Sequence, residues 1–334
     1  MRALTRRLIR LIWKTKGQFT AIASVVAVGV TVYIAMSTAF LNLEHSRDLF
    51  YKEMNFADYY FRVVRAPEAI KKTLETLPGV SRVTARITRD IALLRPDGEK
   101  ISGRLISYPL PLEGEVNGLK VLSGRLFEKH PRASGIEVLV DPQFARANGL
   151  SPGDSLALVI EGEKYPVTVV GTAIGPEFIY PLKDTSTLLH DPSTFGIIML
   201  PLNQAQALLN LPAQVNEVVL TLLPGAEPEE VEKKIKEILE PYGNVASYPR
   251  KQQLSHAILD AELKQLQTSS RTLPTIFLLV ASAIEFFVCG RMVRSQRQVI
   301  GTLKALGYTD REIILHYAGY SLAISLTGTL TGSL

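Results

Sequence analysis

No charged side chain interrupts residues 17 to 43, which read GQFTAIASVVAVGVTVYIAMSTAFLNL. A helix rises 1.5 Å per residue and needs roughly 20 residues to cross the hydrocarbon of a bilayer, so this run dictates a transmembrane span before anything else is decided. Basic residues precede it, and Ser37-Thr38-Ala39 has the small side chains of a signal-peptide cleavage site. The apolar run is much longer than the roughly 7 to 15 residues of a signal core, so a retained anchor is expected.

Residues 272 to 290, TLPTIFLLVASAIEFFVCG, form a second such run broken only by Glu285, and a third runs from Ile313 to Leu334. Arg2, Arg6, Arg7, Arg10, Lys14 and Lys16 precede the first span, and Arg291, Arg294, Arg297, Lys304 and Arg311 lie between the second and third. Basic residues beside span ends favour the cytoplasm. Both groups place the N-terminus and residues 291–312 inside and residues 44–270 outside. Residues 1–16 interleave Leu4, Leu8, Ile9, Leu11, Ile12 and Trp13 with these cations. They suit either an amphipathic helix lying among lipid phosphates or a plain charged flank.

The net charge of +5 is unevenly spread, because the 227 residues from 44 to 270 hold 25 basic and 29 acidic side chains. The outer segment is therefore mildly acidic, and it lacks both interleaved basic and aromatic clusters and zinc-finger spacing, which argues against nucleic acid as a partner. The one cysteine, Cys289, excludes an intrachain disulfide, so the outer segment must be held by its core.

That segment reads as α+β. YYFRVV, PEAIKKTLETL and SRVTARI give strand, helix and strand, and NEVVLTLL, PEEVEKKIKEILEPYG and NVASY repeat the order, which predicts two units packed side by side. Between them lies a β-rich insertion. Asp97-Gly98 is expected to turn a hairpin, and IEVLVD, DSLALVI and YPVTVVGTAI alternate as strands with turns at Gly153-Asp154 and Glu161-Gly162. Residues 44–56 and 251–271 are expected to carry the spans outward as stalk helices, with Leu254, Ile258, Leu263 and Leu266 as an apolar stripe.

No catalytic signature, cofactor motif or metal-ligand spacing is present. GTLKALG has its glycines and lysine in the wrong order for a phosphate loop, no G-x-S-x-G occurs, and the histidines at 45, 130, 190, 256 and 316 are scattered. Any catalysis belongs to a partner. Glu285 lies in mid-span, where a carboxylate costs roughly 2.5 kcal/mol or more to insert and must face protein or water. It suits proton or ion coupling, or a neutral carboxyl hydrogen-bonded to a neighbouring span. The lack of an intramembrane basic partner favours the second. Gly328 and Gly332 form a G-x-x-x-G step that permits close contact with another helix.

From Met292 to Leu306 the apolar Val293, Val299, Ile300, Leu303 and Leu306 fit one broad helical face. Gly307 suits the position just past a helix end, and Thr309 with Glu312 makes a capping box that starts the third span. Such a helix can transmit force or be an ordered connector. The stretch RMVRSQRQVIGTLKALGYTDREIILHYAGY resembles the cytoplasmic element of FtsX-like ABC transporter permeases, the class that includes MacB-type exporters and lipoprotein-releasing permeases. The outer segments VLSGRLF, ARANGLSPGDSLAL, YPVTVVGTA and IIMLPLNQAQALL resemble that family's extracytoplasmic domain.

The resemblance implies a permease of the bacterial inner membrane that works with a cytoplasmic ABC ATP-binding subunit. Ile300, Gly301, Leu303, Lys304, Ala305, Leu306 and Gly307 would form the coupling helix on that ATPase. Export, lipid or lipoprotein release, and mechanotransmission are the corresponding roles, with membrane lipids and a second permease subunit or second copy as further partners. Family units have a fourth span, which implies either a truncated product or a span from another polypeptide. Rival readings are a membrane-anchored receptor or regulator of an external partner without transport, and an ion-coupled carrier using Glu285.

Overall fold

The computed structural model describes residues 2–95, 98–127, 135–183 and 191–334. Asp97 of the expected hairpin, His130 and His190 lie outside the described residues. The chain opens with α1 (Arg2–Lys14) and α2 (Lys16–Glu53), then β1 (Tyr59–Pro67), α3 (Ile70–Glu75), β2 (Val80–Arg86), β3 (Thr88–Leu94), β4 (Lys100–Tyr108), β5 (Lys120–Gly124) and β6 (Ile136–Val140). Next come α4 (Pro142–Ala147), β7 (Ser155–Ile160), β8 (Glu163–Ile174), β9 (Phe195–Pro201), α5 (Leu202–Leu208), β10 (Gln214–Leu222), α6 (Pro228–Leu239) and β11 (Asn244–Pro249). It closes with α7 (Leu254–Ser295), α8 (Arg297–Ala305) and α9 (Asp310–Gly332). Contacts divide it into two compact units, residues 46–261 and residues 1–45 with 262–334.

In the first unit, β1-α3-β2 and β10-α6-β11 build one antiparallel sheet in the order β11-β1-β10-β2. The two units expected side by side are instead interleaved, each contributing one central and one edge strand. This is the split-βαβ arrangement. It lets Phe61 and Val218 on the central strands share a dry core with Leu74 of α3 and Ile235 of α6. Helix α3 is shorter than PEAIKKTLETL suggested, because Pro67 ends β1 and Pro78-Gly79 come soon after the helix.

The β-rich insertion closes into a six-stranded barrel. Strand β3 pairs with β4, β4 with β9, β9 with β6, β6 with β8, β8 with β7, and β7 returns to β3. Long β8 makes closure possible. Its first half pairs with β7 and its last residues take β5, while β6 holds its other edge. Closure removes the exposed strand edges that invite aggregation.

The second unit contains three helices long and apolar enough to cross a membrane, within α2, α7 and α9. Helix α9 packs on α2 at the two glycines. A Cβ on Gly328 would stand 2.7 Å from Ala23 O, and one on Gly332 would meet Ala27 O more closely still. Thr31 Oγ1 donates to Gly332 O at 2.9 Å, so the backbones meet with no room for a side chain.

Candidate functional site

Helix α8 is short and framed at both ends. At its start Gln296 leaves helical geometry, with φ −102° and ψ 18°, and breaks the chain between α7 and α8. The Gln296 Oε1 accepts from Arg7 Nη2 at 3.1 Å and from Tyr317 Oη at 2.8 Å. One neutral side chain thus ties α1, the α7–α8 corner and α9 together. At its end Gly307 takes φ +89°, the left-handed region where a side chain is strained. The Tyr308 N–H donates to Leu303 O at 3.1 Å and the Gly307 N–H to Lys304 O at 3.0 Å. This pair of bonds is a Schellman motif, with its apolar contact supplied by Leu303 and Tyr308 in one cluster. Thr309 then caps α9 reciprocally with Glu312.

The expectation of one continuous helix with one apolar face over 292–306 is corrected. Val293 belongs to α7, which ends at Ser295, and the non-helical Gln296 separates it from α8, so the apolar residues divide. Leu303 is 9% exposed and packs with Leu11, Met292, Ile313, Tyr317 and Tyr320, with Ile300 half-buried beside it. Leu306 is 71% exposed, and Val293 and Val299 are also open. Gly301, Lys304 and Ala305 lie on the exposed side, and nothing stands within 4 Å of a Cβ built on Gly301. Lys304 pairs with Asp310 across the Gly307 turn. Helix α8 and its C-cap therefore present small residues, the cations Arg297 and Lys304 and the apolar Val299 and Leu306, with Leu303 as the inner anchor.

Glu285 is half-buried on α7. Its Oε1 is enclosed and finds no hydrogen-bond partner among the described residues, so that oxygen does not form the bond to a neighbouring span expected for it. Among the described residues no group of three His, Cys, Asp or Glu side chains could hold a metal.

Sequence reasoning missed a second polar centre, in the unit of residues 46–261. Arg86 at the end of β2 is fully enclosed and forks onto Glu177, just after β8, with both nitrogen–oxygen distances 2.6 Å. Its Nε donates to Glu217 of β10 at 2.7 Å, and Glu217 also accepts from Arg62 Nε at 3.1 Å and Thr88 Oγ1 at 2.8 Å. Burial penalises the Glu217 charge, but Arg86, Arg62 and the Thr88 bond outweigh it and hold the carboxyl at about 2. For Glu177 burial wins over the shared Arg86, and its pKa is raised. The same segment reaches the base of α7: Gln253 Nε2 donates to Glu177 O at 2.7 Å, and Ser255 Oγ accepts the Tyr180 N–H at 2.9 Å. Split-βαβ sheet, barrel and the first turn of α7 are thus joined through Arg86 and the 175–180 segment.

Residues 19–238 match the model of the MacB-like periplasmic core domain, and residues 271–334 match the FtsX-like permease C-terminal model. Among solved structures, the periplasmic region of MacB from Actinobacillus actinomycetemcomitans is 12% identical, covers 64% of this chain and 95% of its own, and gives a TM-score of 0.40. The extracellular domain of the noncanonic ABC-type transporter YknZ from Gram-positive bacteria is 15% identical, with coverages of 58% and 98% and a TM-score of 0.37. A domain of a putative permease protein from Porphyromonas gingivalis is 16% identical, with coverages of 60% and 96% and a TM-score of 0.34. No curated protein matches. Two family models that together account for most of the chain leave one assignment: it belongs to the MacB/FtsX-like permease family of ABC transporters.

Proposed function

We propose that this permease transmits the nucleotide cycle of a cytoplasmic ABC ATP-binding subunit, docked on the open side of α8, to the domain of residues 46–261 across the membrane. The observation that carries the reading is the division of α8. Leu303 and Gln296 fix it from behind, while Gly301, Lys304, Ala305 and Leu306 are left uncovered. A helix anchored on one side and open on the other suits a lever. The flanking cations support a cytoplasmic side for the N-terminus and α8. The sequence carries no phosphate-loop motif, and on this reading ATP hydrolysis is the work of the partner subunit.

On this reading the outer domain moves as a body, since the Arg86 centre binds sheet and barrel to the base of α7. The test uses the full chain reconstituted with its co-purifying ATPase. Lys304→Glu and Gly307→Pro should abolish stimulation of ATP hydrolysis while membrane insertion is retained. Stimulation at the wild-type rate in both variants would refute the reading.

A further inference from the structure

A cleft of about 320 Å³ opens between α2 and α7, with Gly29, Val30 and Leu278 as its apolar wall and Tyr33 and Arg271 at one end. It exists because Gly29 lets the helices cross closely: a Cβ there would sit 3.2 Å from Phe277 Cβ. That crossing sets a depth scale. Arg271 and Arg291 are 20 residues apart on α7, with Glu285 the only charge between them. At 1.5 Å per residue the interval is about 30 Å, the thickness of a bilayer's hydrocarbon. From the crossing, α7 reaches Arg291 in 14 residues and antiparallel α2 reaches Lys16 in 13, so both helices meet a cation at one membrane face. Arg271 therefore lies at the phosphate level of the opposite face, with Tyr33 close to the same depth, where aromatic belts form.

Arg271 is exposed and, among the described residues, makes no ion pair. A guanidinium at phosphate depth, above an apolar slot between two helices, has the chemistry of a glycerophospholipid site. We propose that the cleft binds one phospholipid, its phosphate on Arg271 and one acyl chain against Val30 and Leu278. That the lipid comes from the outer leaflet rests on the orientation proposed above; the site itself does not. It would place a lipid between the two helices that carry the outer domain.

The test titrates the purified full chain in detergent with dioleoyl-phosphatidylglycerol and counts bound lipid by native mass spectrometry. One lipid per chain is expected. Arg271→Gln should weaken retention by at least about tenfold, as loss of a charge-assisted bond does. Arg271→Lys should retain the lipid, and Thr275→Trp, at a residue that also lines the cleft, fills the slot with the cation in place and should lose it. Dioleoylglycerol, which lacks the phosphate, should bind at least about tenfold more weakly. Equal retention by Arg271→Gln, equal binding of dioleoylglycerol, or a Tyr33→Cys disulfide between two copies, meaning that a second chain covers the cleft, would each overturn the assignment. None of these readouts involves ATP, so failure of the lipid site and failure of the coupling function are separable.

Discussion

The Arg86 centre and the Gln296 junction solve the same problem with different chemistry. Each joins elements far apart in sequence through one shared side chain. Arg86 does so with a buried cation between two carboxylates and Gln296 with a half-buried neutral amide. A buried ionic centre is costly to open, because breaking it strands desolvated charge. Hydrogen bonds to a neutral amide net about 0.5–1.5 kcal/mol, up to about 3 for the one from the Arg7 guanidinium, and each can be exchanged for water without stranding a buried carboxylate. The contrast indicates that the outer domain is built to keep its shape, and the joint behind α8 to give.

The largest effect that would break this contrast is expected at Arg86. Arg86→Met should destabilise the outer domain by about 3–5 kcal/mol, read as hydrogen-exchange protection of β2 and β10 in the full chain. Adding Glu177→Gln and Glu217→Gln should recover much of that loss, since no stranded charge remains. The two carboxyls also set a pH signature. The folded-state pKa of Glu217 lies below its ordinary 4.5, so its contribution is complete above pH 4.5 and lost as pH falls towards about 2. Glu177, raised by burial, works in the opposite sense: its contribution is complete below pH 4.5 and weakens as pH rises from there through its raised pKa. Glu217→Gln should therefore remove the acid limb of the protection profile.

Next in size is Gly328→Leu. Its side chain meets the Ala23 backbone, and the overpacking should cost about 1–3 kcal/mol in the thermal stability of the detergent-solubilised chain. Gln296→Leu removes two acceptor contacts and should cost about 1–2 kcal/mol, with faster labelling of a cysteine at 303, whereas Gln296→Glu keeps both acceptor contacts, adds an ion pair to Arg7 and should slow that labelling. Gly307→Ala is expected to be the mildest. It places a Cβ at φ +89° for about 1 kcal/mol, with an open site around it and no steric clash.

Legibility in the sequence tracks the range of the interaction. The apolar runs, the Gly307 stop and the Thr309–Glu312 cap depend on neighbours a few residues apart, and all are present. The strand-helix-strand units were legible one at a time, but their interleaving was not, because register between β1 and β10 is decided across some 150 residues. Arg86 had no local signal either, since its partners lie 91 and 131 residues away. At the candidate site, the pattern 300–307 located α8 but mixed inward Leu303 with outward Leu306. Gln296, Arg7 and Tyr317 are ordinary residues until folding brings them together.

The most direct measurement is site-specific photocrosslinking in cells, with a photoreactive residue placed in turn at 303, 304 and 306. The account predicts adducts with an ABC ATP-binding subunit from 304 and 306 and none from 303, which is turned into the helix cluster. Equal yield from all three positions, or capture of no ATP-binding subunit from 304 and 306, would contradict it.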